Sequence, residues 1–260
     1  MLRLLPLLLL LFLLPGPSSG QDLTLSFMAY EGPPYYTRDA DGQWGGMNVE
    51  LVRALADRAG LTLKPLEYPW NRSLMSLENG QLDMMVELSR TPERERFAHF
   101  LGVSFHEQFV LIVRKDQAEE LRKSLLQLDD LARPGYLWGT REKVFYSEEF
   151  NARLRTDLEF AAHFDAVSYT KVNLDRLKIG RLTGVFGYLH PVNYLITHDP
   201  SYRDLTFVRV PFFPPSPNYF GISRKIAPEK LERLQRAYAA LAAEGVFTAI
   251  EMKWAPATGE

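Results

Sequence analysis

The chain has 260 residues, 46% of them hydrophobic and 24% charged, with a formal charge of −2. Near neutrality without a basic run argues against a nucleic-acid partner, and the absence of cysteine excludes disulfides, thiol catalysis and a cysteine-anchored lipid. Five scattered histidines lack metal-ligand spacing, so no metal is expected, and no phosphate-loop or dinucleotide glycine pattern points to a cofactor.

The first segment reads as a leader. Arg3 precedes an apolar run over residues 4–14, broken only by Pro6, and then Pro15-Gly-Pro-Ser-Ser-Gly20. A charged start, a short apolar core and small residues predict a secretory signal peptide over 1–20, cleaved after Gly20. A membrane anchor would require ~20 apolar residues in a row, and no stretch of the chain is that long. The mature chain of about 240 residues is then exported, with enough length for two small lobes, each with its own core.

Residues 23–29 alternate as a strand and run into an aromatic loop over 30–36, after which 39–46 reads as a hairpin tip. From Asn48, the spacing of Leu51, Val52, Leu55, Ala56 and Ala59 predicts a helix that Gly60 stops. A strand over 61–66, a helix over 71–79 and a strand over 82–88 complete a β-α-β-α-β succession, which predicts a mostly parallel sheet flanked by helices. Residues 109–113 form another buried strand, and the charged stretch 114–120 is expected to cross into a second lobe. That lobe takes in a strand near 136–139, a helix over 142–154 and a strand over 205–210. The stiff, proline-rich 211–217 suits the return crossing, followed by a strand over 219–223 and helices over 228–243 and 246–253. The expected division is 1–20 signal peptide, 21–113 first lobe, 114–210 second lobe, and 211–260 return crossing with the rest of the first lobe.

Two stretches one hundred residues apart are built alike: Leu74, Leu77, Gly80, Leu82 and Val86 are echoed by Leu174, Leu177, Gly180, Leu182 and Phe186. Each is a helix, a glycine stop and a buried strand, so the echo implies two similar α/β lobes with a ligand cleft between them. The first copy leads into Ser89-Arg-Thr-Pro-Glu-Arg94. Thr91 as N-cap and Pro92 at the first helical position predict a helix start whose free N–H groups lie beside the Arg94 guanidinium, a corner suited to a carboxylate. Glu87 lies at the carboxyl end of a strand, where open α/β sheets place ligands; its alternative is an internal pair with Arg90 or Arg94. Trp70 and Arg72 offer an aromatic wall and a second cation, and Trp70 serves lobe packing equally well.

Pro34-Tyr35, Gly46-Met-Asn-Val-Glu-Leu51, Gly80-Gln-Leu-Asp83, Thr91-Pro-Glu-Arg94, Gly139-Thr140 and Ala243-Glu-Gly-Val-Phe247 together resemble the family 3 extracellular solute-binding proteins. The resemblance implies the two-lobe periplasmic-binding-protein type II fold, α/β in each lobe. It implies a monomeric periplasmic receptor, without cofactor, that closes by a hinge on a small polar, carboxylate-bearing solute for an ABC transporter. It further implies that Arg94 takes the carboxylate as a two-pronged pair, that Ser89 assists, that Tyr30 and Tyr35 form an aromatic platform, and that Thr140 and Arg141 form the second-lobe donor turn. Three positions depart from the pattern. The acid after the second repeat strand is Tyr188, the first-loop acid is missing at Ala29 with Glu31 two residues on, and Glu87 appears on the first-lobe side. These departures point to a ligand with both anionic and cationic or strongly donating groups, arranged differently from a standard amino acid: an amino-acid derivative or a small peptide-like metabolite. The same resemblance carries two alternatives: a domain serving a sensor, and a dehydratase-type enzyme with Glu87 or Glu31 as general acid.

Overall fold

In the computed structural model, which describes residues 23–142, 144–167 and 170–255, the chain builds two five-stranded sheets. The expected leader lies outside the described residues. Strand β1 (Thr24–Ala29) is followed by the short hairpin β2 (Thr37–Arg38) and β3 (Trp44–Gly45), helix α1 (Met47–Ala59), β4 (Thr62–Glu67), α2 (Trp70–Asn79) and β5 (Met84–Leu88). After β6 (Ala98–Glu107) and β7 (Phe109–Arg114) come α3 (Ala118–Ser124), β8 (Trp138–Arg141), α4 (Glu148–Thr156), α5 (Leu158–Ala161) and β9 (Phe164–Val167). Helix α6 (Thr170–Lys178), β10 (Gly184–Tyr188), α7 (Leu189–His198) and β11 (Leu205–Arg209) follow, and β12 (Ser216–Ser223), α8 (Pro228–Ala243) and α9 (Val246–Trp254) close the described chain. No described helix is long and apolar enough to cross a membrane.

The first sheet has the order β4-β1-β5-β12-β6 and the second β9-β8-β10-β7-β11. In each, three neighbouring strands are parallel and the fourth runs antiparallel to both its neighbours. The antiparallel strand is in each case the first one built after the chain arrives from the other sheet, so each lobe is completed by a strand delivered across the junction. The sequence echo thus corresponds to a repeat of sheet topology.

Strand β7 corrects the expected lobe boundary. It pairs with β10 and β11, and its side chains alternate between two cores: Val110 and Ile112 on one face of the second sheet, Leu111 and Val113 on the other. A strand buried on both faces is fixed to its sheet, so the chain leaves the first sheet at Gln108, ahead of the crossing expected after residue 113. The charged stretch after β7 is a 3₁₀ turn (Lys115–Gln117) leading into α3, within the second lobe. Helix α4 also starts later than expected, where the Ser147 hydroxyl accepts a hydrogen bond from the Phe150 N–H.

Candidate functional site

The aromatic loop is tied to the start of α1, where the N–H groups of Met47 and Asn48 donate to the carbonyls of Pro34 and Tyr35. This satisfies two of the donors that a helix start leaves open and fixes the loop beside the end of β5. The β1–β5 edge is stitched by Asp83, whose Oδ2 accepts from both the backbone N–H and the hydroxyl of Ser26, each at 2.7 Å. In the second lobe Thr183 does the equivalent work, its hydroxyl accepting from the Leu137 N–H at 3.0 Å and its own N–H donating to the Leu137 carbonyl.

At the end of β5 the expected helix is only a 3₁₀ turn, Arg94–Arg96. Glu93 rather than Thr91 stands at its N-cap; the Thr91 hydroxyl still accepts from the Arg94 N–H at 3.2 Å, and the chain must enter β6 at Ala98 to pair with β12, which leaves no room for a longer helix. A full helix dipole is therefore absent from this corner, and the guanidinium supplies its charge. Arg94 is half-buried, donates from Nη1 to the Ser89 carbonyl at 2.9 Å, and lies 5.9 Å from the centre of the Trp70 ring. Burial lowers its pKa, yet an arginine keeps its charge. Arg90 pairs with Glu95 at 2.5 Å, whereas Arg94 makes no ion pair among the described residues, although the charge of the neighbouring Glu93 acts on it.

Glu87 pairs with neither arginine. Its Oε1 accepts from the Tyr30 hydroxyl at 3.0 Å. Burial pushes the carboxyl up to about 7, and the Tyr30 hydroxyl and Asn48 amide hold it back from rising further. Burial and the adjacent Glu87 in turn raise the Tyr30 phenol far enough that it stays a neutral donor. Asn48 and Tyr36 lie behind this pair, buried, with the Asn48 amide and the Tyr36 hydroxyl out of hydrogen-bond alignment with any described atom.

The other expected site residues scatter. Glu31 is exposed, and Arg72 is exposed with its guanidinium over the Tyr68 ring at 4.3 Å. Tyr35 is buried between Phe105 of the first lobe and His190 of the second, so it lies where the two lobes meet. Thr140 is buried, with its carbonyl accepting from the Asn173 amide, while Arg141 is exposed and its N–H donates to the Tyr146 hydroxyl. Tyr188 stacks on Phe109 at 4.4 Å and stays 36% accessible. Burial of its hydroxyl, with the charge of Glu107 second, pushes its pKa up to about 12. Arg141, Tyr188 and, from the first lobe, Pro33 line one cavity of about 730 Å³.

A group at the junction carries no motif. Glu107 ends β6, and its buried carboxylate accepts from the Gln108 N–H and approaches Nδ1 of the buried His190 at 3.4 Å. Burial raises Glu107, and His190 opposes that shift. Gln108 accepts from the Leu189 N–H and donates from its side chain to the Phe213 carbonyl at 3.1 Å, so it bonds the outgoing passage to the returning one. The only signal in the sequence was a Glu-Gln pair set between Phe105 and an apolar strand.

The profile of the bacterial extracellular solute-binding proteins, family 3, matches residues 26–257. Among curated proteins, the chain is similar to ABC transporter arginine-binding protein 1 of Escherichia coli (strain K12), with 26% identity over 247 residues and 93% of each chain covered. Among solved structures, it is similar to an ancestral cationic amino acid solute-binding protein, with a TM-score of 0.68 and 20% identity over 89% of this chain and 95% of that one. A histidine kinase sensor domain with similarity to periplasmic binding proteins matches with a TM-score of 0.64 and 21% identity, again over 89% and 95%. The fold shared with these structures is the type II periplasmic-binding-protein fold.

Proposed function

The chain belongs to the bacterial extracellular solute-binding proteins, family 3, and from that premise we propose that it captures a small carboxylate-bearing solute, an amino acid or a derivative of one, and presents it to an ABC transporter. The observation that carries this reading is Arg94, a half-buried cation at the carboxyl end of β5 without a carboxylate partner among the described residues. A charge drawn out of water without a counter-ion costs free energy, which a carboxylate ligand in a two-pronged pair offsets. Ser89 and Trp70 orient the guanidinium, and the carboxyl ends of β5 and β10 are where open α/β sheets take ligands.

Capture is by closure, with the reaction ending at binding. The lobes are 24–107 with 216–254, and 109–209, joined at Gln108 and at 210–215; the Gln108–Phe213 hydrogen bond supports the two passages bending together. The Escherichia coli relative is named for arginine. Here the residue after the second repeat strand is Tyr188, and Glu87 is already engaged by Tyr30 and shifted towards its neutral form, so neither offers a free anion to a cationic ligand group. The ligand's non-carboxylate end is therefore recognised otherwise than by an unengaged acid at these two positions. Export through the leader and residence in the periplasm accord with the family's extracellular role.

A thermal-shift screen of amino acids, their derivatives, amines and organic acids identifies the solute, and calorimetric titration tests the site. Arg94→Ala should weaken binding by about 2–5 kcal/mol, on the order of thirty- to several-thousand-fold, with little change in folding stability. Arg94→Lys should recover only part of the loss, because an ammonium cannot reproduce the guanidinium fork. Near-normal affinity in Arg94→Ala would remove the assignment.

A further inference from the structure

We propose that the ligand carries a sizeable apolar body, aromatic or branched aliphatic, that lodges in the second lobe between the face of β7 and β10 and the helices α6 and α7. The inference rests on Arg94 being the carboxylate site, and it adds what the remainder of the ligand must be.

The cavity of about 730 Å³ falls within the 300–1,000 Å³ of small-molecule sites. Arg141 and Tyr188, exposed at the ends of β8 and β10, and Pro33 of the first lobe line it, so it faces the first lobe at that end. Its deep walls are apolar: Ile112, Leu174 and Val192 are buried and Leu195 is half-buried. Phe109, Tyr146 and Tyr188, packed on one another from the opposite face of the sheet, also line the cavity and offer aromatic surface to a ring.

The charged groups of the lining argue against a cationic occupant. Arg141 and Lys171 are themselves cations, and Lys171 is paired with Asp175 at 3.3 Å. The one carboxylate of the lining among the described residues, Asp199, accepts from the Ser201 N–H at 2.9 Å as the cap of a 3₁₀ turn. A guanidinium or ammonium entering this chamber would meet Arg141, a lysine already neutralised by its partner and an acid already bonded, whereas a hydrocarbon surface would exchange water for matching walls. Each buried methylene is worth about fourfold in affinity, and a whole phenyl or leucyl body roughly ten- to hundredfold.

The test is calorimetry of the mature chain with L-alanine, L-leucine, L-phenylalanine and N-acetyl-L-phenylalanine, with L-arginine as the cationic comparator. Affinity should rise roughly ten- to hundredfold from alanine to the phenyl members. Leu195→Trp and Thr170→Trp, which fill the chamber from α7 and α6 at half-buried positions, should each erase most of that rise and leave alanine within about twofold; two variants guard against one failing to fold. Arginine binding more tightly than phenylalanine, or both tryptophan variants weakening alanine and phenylalanine alike, would overturn the inference. Arg94→Ala separates the two readings: it should weaken every member, and if it spares them all the carboxylate site falls, while the ranking by size still reports on the chamber. Failure of every member to bind would overturn both.

Discussion

Glu87 and Tyr30 meet at 3.0 Å across 57 residues of sequence, because β1 and β5 lie side by side and both end at the cleft. The carboxyl is raised from 4.5 to about 7, so the folded protein holds a proton that the unfolded chain has released between those values. The stabilising contribution is fully present below about 4.5 and is lost as the pH rises through about 7. Glu87→Gln mimics the protonated acid, so it should match the parent near pH 4 and exceed it at pH 8.5, by at most on the order of 3–4 kcal/mol. Urea denaturation at the two pH values measures this, and an equal difference at both would contradict it. At this scale the sequence was readable where chemistry is local: Thr91, Pro92 and Arg94 announce their turn within four positions. The partner of Glu87 was not, since nothing near either residue marks a bond that only strand pairing creates. The same holds for Glu107 and His190, which stand 83 positions apart with no motif around either.

The two helix–glycine–strand units agree in detail. Gly80 and Gly180 both sit at positive φ, 75° and 74°, and each returns its N–H to the carbonyl three residues back, Leu77 and Leu177. They differ in surroundings. A Cβ on Gly80 would stand 2.8 Å from the Cβ of Lys225, whereas on Gly180 its nearest neighbour is an Arg114 nitrogen at 3.7 Å. Gly180→Ala should therefore cost about 1 kcal/mol, the ordinary penalty for a left-handed alanine, and Gly80→Ala clearly more. Chemical denaturation of the two variants decides it, and equal losses would contradict the crowding at Gly80. Helices and strands were legible from periodicity and glycine stops. The long β6 was not, because residues such as His99, Gly102 and His106 break its alternation and its pairing with β12 comes from the far end of the chain.

The two lobes were foreshadowed by the hundred-residue echo and the crossings by the charged stretch 114–120 and the proline-rich 211–217, but the first passage was expected too late. An apolar run such as Val110–Val113 reads the same in either sheet, and only its pairing with β10 and β11 assigns it to the second. The resulting junction is short: Gln108 on one side, 210–215 on the other, bonded to each other and flanked by the buried Glu107–His190 contact. On the proposed function, two lobes joined in this way would close as rigid bodies when a ligand bridges them, with Arg94 as the first-lobe end of that bridge. Small-angle X-ray scattering of the parent and of Arg94→Ala, each without and with the solute that gives the largest thermal shift with the parent, tests this most directly. At a concentration that saturates the parent, the parent's radius of gyration should fall and that of Arg94→Ala should stay at its ligand-free value. An unchanged radius in the saturated parent, or the same contraction in both proteins, would contradict capture of a carboxylate by closure.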